Sequence, residues 1–284
     1  MLEVTRSIIE IVDKAIEEDL IMGDPTSDIL ISEDISSKGA IVARSHGILA
    51  GVDLAIRVFS RVGQDLEFNL LLKDGSALEP QDTIFEVQGS ARSILQAERV
   101  ALNFIQHLSG IATETAKYVK AVEEFESTII DTRKTIPGLR SLAKYAVRVG
   151  GGQNHRHNLG DGVLIKDNHI VANSQRGISL GDTVKLALLK RKHTLKVEVE
   201  VTNVSEAKEA LDAGAEIILV DNMGIDDMKE VVSLAKGKAV VEASGGITLE
   251  TVKSVASVGV DLISVGALTH SVKAVDISLD LEIE

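Results

Sequence analysis

The sequence predicts an α/β chain in two parts: a small antiparallel sheet with helices on one side, followed by a parallel β/α barrel. Three observations carry this. From Gly39 to Gly89, short apolar runs (GAIVARS, LEFNLLL, TIFEVQG) are interrupted by one helical stretch near Val52 to Val62, the pattern of a small α/β layer. Beyond Gly110 the rhythm changes to β-branched strands alternating with helices, namely STIIDT, GVLIKD, KVEVEV, EIILVD, AVVEAS and DLISVG. The last four begin near Lys196, Glu216, Ala239 and Asp261, about 20 to 23 residues apart, close to the shortest repeat that holds a strand, a loop and a helix. No GxGxxG fingerprint opens any unit, which favours a barrel over an open doubly wound sheet.

Taken in order, Ile8, Ile11, Val12, Ala15 and Ile16 recur at helical spacing, so MLEVTRSIIEIVDKAIEEDL reads as an amphipathic first helix. The segment EDLIMGDPTSDIL that follows is rich in turn residues and carboxylates and reads as a loop. Ser93 and Gln96 have the spacing of a capping box, and Ala97, Ala101, Phe104 and Leu108 then form one stripe of a helix that bridges to the second part.

Composition narrows the function. The 284 residues are 44% hydrophobic, enough for a barrel-sized domain and a smaller companion. The absence of cysteine excludes disulfides, thiol nucleophiles and thiolate metal sites and fits a reducing cytoplasm. Any metal is therefore expected on oxygen or imidazole ligands. No run approaches the length of a membrane span, and the chain is expected to be soluble and unprocessed. A formal charge of -13, with two Tyr, five Phe and no Trp, offers neither a positive field nor stacking platforms for nucleic acid.

Against that acidity stands one basic island. Between Asp131 and His169 lie Arg133, Lys134, Arg140, Lys144, Arg148, Arg156 and Lys166 against Asp131, Asp161 and Asp167, with His155, His157 and His169 among them. Such an island beside strand ends is most simply a pocket for a small polyanion. The strand ends read Thr132-Arg133-Lys134, Lys166-Asp167-Asn168-His169, Glu200, Asp221-Asn222, Ser244-Gly245-Gly246 and Gly266-Ala267. In β/α barrels the C-terminal mouth is where such loops converge into an active site.

Ser244-Gly245-Gly246 and Gly266 each precede an expected helix (ITLETVKSVAS and ALTHSVK), and this pair of loops suits a phosphate. Period-two alternation puts Lys196, Glu198 and Glu200 on one face of a strand, with Leu195, Val197, Val199 and Val201 on the other. A structural ion pair with Lys196 or another inward group is the preferred reading for Glu198. Glu200 and Asp221, at adjacent mouths, are read as holding a divalent cation or sugar hydroxyls and stabilising developing positive charge. Arg133, Lys134, Arg156 and Lys166 are placed for carboxylates and phosphates. Arg140, Lys144 and Arg148, at spacing four, are read as a solvated helix face. His155 is read as a ligand contact; His157 and His169 are left open between contact and structure, and His270 gains weight from following the second glycine loop.

The segments IIDTRKTIPGLR, VRVGGGQNHRHNLGDGVLIKDNHI, VEVEV, LVDNM, EASGGIT and VGALTHSV together resemble the quinolinate phosphoribosyltransferase family, the decarboxylating nicotinate-nucleotide pyrophosphorylases. EDLIMGDPTSDIL, HGILAG and AERVALNFIQHLSGIAT carry the resemblance through the first half. It implies an N-terminal α/β sandwich over residues 1–108 and an incomplete α/β barrel of six or seven strands over 109–272, with 273–284 packing back on the first domain. It implies a homodimer or higher homo-oligomer in which Arg99, in AERVALN, reaches the neighbouring active site.

The implied reaction joins quinolinate to 5-phosphoribosyl-1-pyrophosphate with Mg2+, giving nicotinate mononucleotide, pyrophosphate and CO2. On this resemblance Arg99, Thr132, Arg133, His155, Arg156 and Lys166 bind quinolinate. Lys134, Glu200, Asp221, Asn222, Ser244, Gly245, Gly246, Val265, Gly266, Ala267 and His270 take the phosphoribosyl pyrophosphate. Glu200 and Asp221 are the expected metal ligands, and Lys134, Lys166, Glu200 and Asp221 the expected catalytic set. Met223 departs from the aromatic residue often found after Asp-Asn. Three other readings stand beside it: a related pyrophosphorylase-like protein associated with molybdate transport, a Schiff-base aldolase using Lys166, and a non-catalytic phosphosugar-binding protein.

Overall fold

The computed structural model describes Glu3 and residues 5–283, so the expectations that touch Met1, Leu2, Val4 and Glu284 lie outside the described residues. Two compact units emerge, one of Met1–Ala116, Thr135–Gly151 and Leu268–Glu284, the other of Lys117–Lys134 and Gly152–Ala267. Among the described residues no helix is long and apolar enough to cross a membrane.

In the first unit the amphipathic stretch forms α1 (Arg6–Leu20), which buries Ile8 and Val12 at helical spacing. The turn-rich segment read as a loop contains a short helix, α2 (Pro25–Leu30). Asp24 accepts the Ser27 N–H at 3.1 Å and Pro25 occupies the first turn, where its missing N–H costs nothing. Then come β1 (Ser36–Ala43), β2 (Gly47–Ile48), α3 (Val52–Val62), β3 (Glu67–Leu70), β4 (Ala77–Leu78) and β5 (Thr83–Ser90).

The helix α3 packs Val58 and Phe59 inward, and the Phe59, Phe68 and Phe85 rings meet at 6.0–6.4 Å between centroids. Its N-terminus is capped from a distance. Asp74 accepts the N–H groups of Gly51 and Val52 at 2.9 and 3.0 Å, and the Tyr145 hydroxyl at 2.5 Å. Burial, then Asp74, raises the Tyr145 phenol above its ordinary value.

The bridging helix is α4 (Ala91–Ala121). It starts two residues before the proposed Ser93–Gln96 box, and the Ser90 hydroxyl accepts the Ser93 N–H at 3.3 Å instead. The capping serine is Ser90, three positions before Ser93, and both offer the same chemistry.

After α4 come β6 (Thr128–Ile130), α5 (Arg140–Val149), β7 (Val163–Ile165), α6 (Asp167–Ser174), α7 (Leu180–Lys190), β8 (Val197–Val201), α8 (Val204–Asp212), β9 (Ile217–Asp221), α9 (Ile225–Ala235), β10 (Val240–Ser244), α10 (Val252–Ala256), β11 (Leu262–Ser264), α11 (Ala267–His270) and β12 (Ile277–Ile283). The first unit's main sheet is antiparallel in the order β12-β1-β5-β3, with Gly39 opposite Leu281 on one side and Val87 on the other. On α5, Lys144 is 1% exposed, not solvated. Leu142 through Val147 are all buried, so the spacing-four argument fails for a helix covered on more than one face. Arg148 alone of the three is exposed.

The second unit is built on six parallel strands in the order β6-β11-β10-β9-β8-β7. Cyclic order with a break between β6 and β7 is that of an incomplete barrel. An isolated parallel bridge from Ile130 to Gln153 adds a seventh short edge beside β6. On β8, Val197, Val199 and Val201 are fully buried, each stabilising the fold by roughly 1.5–3 kcal/mol relative to exposure. The helices after the glycine loops differ from expectation. Five residues separate Gly246 from α10, and α10 and α11 have five and four residues. Neither glycine loop therefore leads into a long helix whose dipole would reach a phosphate.

Candidate active site

The C-terminal ends of the parallel strands surround a cavity of about 360 Å³ lined by Thr132, Arg133, Lys134, His155, Arg156, Leu164, Lys166, Glu200, Leu219, Asp221, Glu242, Ser244 and Ser264. Nine of the sequence-derived candidates line it. Leu164, Leu219, Glu242 and Ser264 were missed. Alternation along AVVEAS puts Glu242 and Ser244 on one face just as it does Glu198 and Glu200 in KVEVEV, so the signal for Glu242 was in the sequence.

The loop that carries His155 and Arg156 is stitched to the end of β6. Asp131, fully buried, accepts Asn154 Nδ2 at 2.7 Å and the His155 N–H at 2.9 Å, while its own N–H donates to the Gln153 carbonyl at 3.1 Å. A buried carboxylate accepting several donors holds this loop rigid. The Arg156 N–H donates to His155 Nδ1 at 2.7 Å, which places the imidazole proton on Nε2. That nitrogen faces Glu198 Oε2 at 3.1 Å and Glu242 Oε2 at 3.5 Å. Glu198 thus finds an inward partner in His155, while Lys196 lies outside β8 and is exposed.

Arg156 Nη1 donates to the Gly162 carbonyl at 3.2 Å. Burial, then the neighbouring charge of Arg133, lowers the Arg156 pKa, with Glu198 opposing. The Arg133 Nε is buried and makes no hydrogen bond. Two repelling guanidiniums, one with an orphaned donor, form a receptor for anionic oxygens.

In the same cavity Lys166 Nζ donates to Glu200 Oε2 at 2.5 Å, the lysine side chain 45% and the glutamate 13% exposed. Lys166 and Glu200 were assigned separate roles and are paired here. The backbone N–H of Lys134 donates to Thr132 Oγ1 at 3.0 Å. Glu200 and Asp221 supply only oxygen donors to one cavity, the set a hard cation such as Mg2+ takes alongside water and phosphate oxygens.

The glycine loop is shaped by its neighbour. Asn222 has φ 52° and donates its N–H to the Ser244 carbonyl at 3.0 Å. Gly245 and Gly246 both have positive φ, 93° and 60°, and a Cβ on Gly245 would stand 2.4 Å from Asn222 Oδ1. Val265 is buried, and its N–H is used by the Ile130 carbonyl at 3.0 Å; Gly266 and Ala267 follow it. His169 Nδ1 accepts the Lys166 N–H at 2.9 Å at the start of α6, a structural role; His157 is exposed. Arg99 and His270 belong to the other unit. The Arg99 side chain is 62% exposed on α4, and His270 Nδ1 lies 2.6 Å from Ser271 Oγ.

A family model described as quinolinate phosphoribosyl transferase, C-terminal domain, matches residues 111–280, and its N-terminal counterpart matches 24–109. A Bacillus subtilis protein named probable nicotinate-nucleotide pyrophosphorylase (carboxylating) is 44% identical over 264 residues, covering 93% of this chain and 90% of the relative. The nicotinate-nucleotide pyrophosphorylase (carboxylating) of Mycobacterium leprae is 42% identical over 274 residues, covering 94% and 95%. The crystal structure of NadC from Streptococcus pyogenes superposes with a TM-score of 0.94 at 38% identity, covering all of both chains.

Proposed function

The chain belongs to the quinolinate phosphoribosyltransferase family, and from that premise we propose that it transfers the phosphoribosyl group of 5-phosphoribosyl-1-pyrophosphate to quinolinate with decarboxylation, a pentosyltransferase step of NAD biosynthesis. The observation that carries the site reading is that the neighbouring Arg133 and Arg156, one with an unused donor, share one cavity with the carboxylates Glu200 and Asp221.

Quinolinate bears two adjacent carboxylates, and two guanidiniums in one cavity match that dianion, with Thr132, His155 and Lys166 beside them. Both ring nitrogens of His155 are engaged within the protein, so its share in binding is the shape it imposes on the Arg156 backbone. The sugar phosphate takes the loop of Ser244, Gly245 and Gly246, with Gly266 and Ala267 adjoining, and Lys134 faces the pyrophosphate. Glu200 and Asp221 flank the ribose with Asn222 behind them and stabilise positive charge as the bond to pyrophosphate lengthens and the pyridine nitrogen takes its place. Lys166 holds Glu200 in place. Glu200 and Asp221 would hold Mg2+, which would supply charge neutralisation for the pyrophosphate.

Decarboxylation needs no general base, because the positive pyridinium nitrogen stabilises the electron pair left on the adjacent ring carbon when CO2 departs, and a proton from solvent then takes that carbon. Catalysis is then mostly positioning and electrostatics. A homo-oligomer in which Arg99 of the partner subunit completes the carboxylate site, and a cytoplasmic setting for this cysteine-free chain, complete the reading.

Mass spectrometry after mixing the protein with quinolinate, phosphoribosyl pyrophosphate and Mg2+ tests it. The expected result is nicotinate mononucleotide, lost on chelation of Mg2+ and in Arg133→Ala. No product from folded protein would reject the reading.

A further inference from the structure

Beneath the mouth, a second cavity of about 430 Å³ opens among the lower parts of the same strands, lined in part by Gln153, Asp161, Lys196 and Glu198. His155, Arg156 and Glu242 line both cavities, so they form the partition between them. Two glutamates converge on one imidazole there, with side chains 7% and 2% exposed. Unshielded carboxylates do not persist in pairs at such depth. Two adjacent charges taken from water cost several kcal/mol unless a proton or a cation intervenes.

Hydrogen bonding indicates a proton. The Nδ1 of His155 accepts from the Arg156 backbone, so Nε2 donates, and one donor lies between two carboxylates. A second proton on Glu242 turns it into a donor toward Glu198, with Ser264 as its other neighbour. Burial, then the charge of Glu198, pushes the Glu242 carboxyl up to about 8, in the direction this requires. With one proton between its two carboxyls, the partition carries a single negative charge below two mutually repelling guanidiniums. Two charges there would offset both arginines before any ligand arrived, and none would leave Arg133 and Arg156 unopposed.

We propose that Glu242 is a positioning residue, a neutral carboxylic acid that, through Glu198 and His155, holds Arg156 in the geometry that grips a substrate carboxylate. This rests on the reading of Arg156 as a quinolinate ligand. Outer partners of this kind, when removed, cost 10- to 100-fold in the function of the residue they orient in metal sites, and a similar scale is expected here.

The experiment compares the wild type with Glu242→Gln and Glu242→Leu in the full chain, reading kcat, KM for quinolinate and KM for phosphoribosyl pyrophosphate, with circular dichroism as the folding control. Gln reproduces a neutral carboxyl, so Glu242→Gln is expected within about threefold of wild type on all three constants. Glu242→Leu is expected to raise KM for quinolinate roughly tenfold or more while KM for phosphoribosyl pyrophosphate stays within about twofold.

A Gln variant as impaired as the Leu variant would overturn the proposal, because it would mean that an ionised carboxylate is needed. Two variants at wild-type values would overturn it equally. Should Glu242→Leu fail to fold, nitrogen-15 spectra of histidine-labelled wild type and Glu242→Gln decide. Neutral His155 protonated on Nε2 in both supports the proposal, and an imidazolium refutes it. The three side chains bring ligand atoms within 4.8 Å of one another, so stoichiometric metal in the purified protein by elemental analysis would also refute it. A wild type that forms no product would instead sink the assignment of the reaction.

Discussion

Glu198 and Glu200 stand on the same side of β8, two residues apart, and the fold uses them in opposite ways. Glu200, at the mouth, pairs with a lysine that is half in solvent. Glu198, one layer down, meets the Nε2 of an imidazole and a second carboxyl. The difference follows from solvent. At the mouth both charges of a pair stay partly hydrated and are free to exchange partners with a ligand, whereas in the partition every charge must be settled internally. Strand periodicity therefore builds a reactive layer on top of a rigid one.

The largest expected effect comes from breaking the upper layer at its cations. Arg133→Ala is expected to lower kcat/KM for quinolinate roughly 100- to 1,000-fold, measured by product formation, with little change in unfolding midpoint. Retained activity would remove the arginine pair from the site. The next contrast sets the glutamates against each other. Glu198→Ala, which leaves the buried Nε2 donor of His155 short of its nearer acceptor, is expected to destabilise by about 3 kcal/mol in urea titration. Glu200→Ala is expected to cost under about 1 kcal/mol yet reduce kcat by roughly 100-fold. Equal destabilisation by both would erase the distinction between layers.

The same comparison runs up β10, where Gly245 lies above Glu242. Gly245→Ala places a Cβ against Asn222 at a φ of 93° and is expected to raise KM for phosphoribosyl pyrophosphate about tenfold, leaving KM for quinolinate near wild type. The smallest effect is one of slope. The groups facing Glu242 are Glu198, His155 and Ser264, and its raised carboxyl contributes stability that is complete below 4.5 and lost as pH climbs through about 8. Wild-type denaturation midpoints should therefore fall relative to those of Glu242→Gln between about pH 4.5 and 8 and run parallel to them above that. Parallel curves throughout would mean that Glu242 is already ionised in the folded protein.

Much of the site was legible in advance, for a physical reason: parallel strands end where their apolar runs end, so polar residues just past those runs mark the mouth. That rule picked out Arg133, Lys166, Glu200, Asp221 and Ser244 without any contact information. It failed where a residue's surroundings come from distant chain. Lys144 follows a surface pattern on its helix yet is buried, and Ser244-Gly245-Gly246 precedes a helix too short and too far along to supply a dipole. Glu242 was passed over because a single carboxylate in an apolar strand announces neither its partner nor its proton.

By itself the sequence determined the two-part α/β architecture, the parallel strands and the residues at their mouths, because periodicity and strand ends are local properties of the chain. Tertiary structure alone decided that Lys166 binds Glu200, that His155 lies between Glu198 and Glu242, and that Gly245 must yield to Asn222. These pairings join residues 20 to 90 positions apart, and their energies depend on the burial that only the closed arrangement of strands creates.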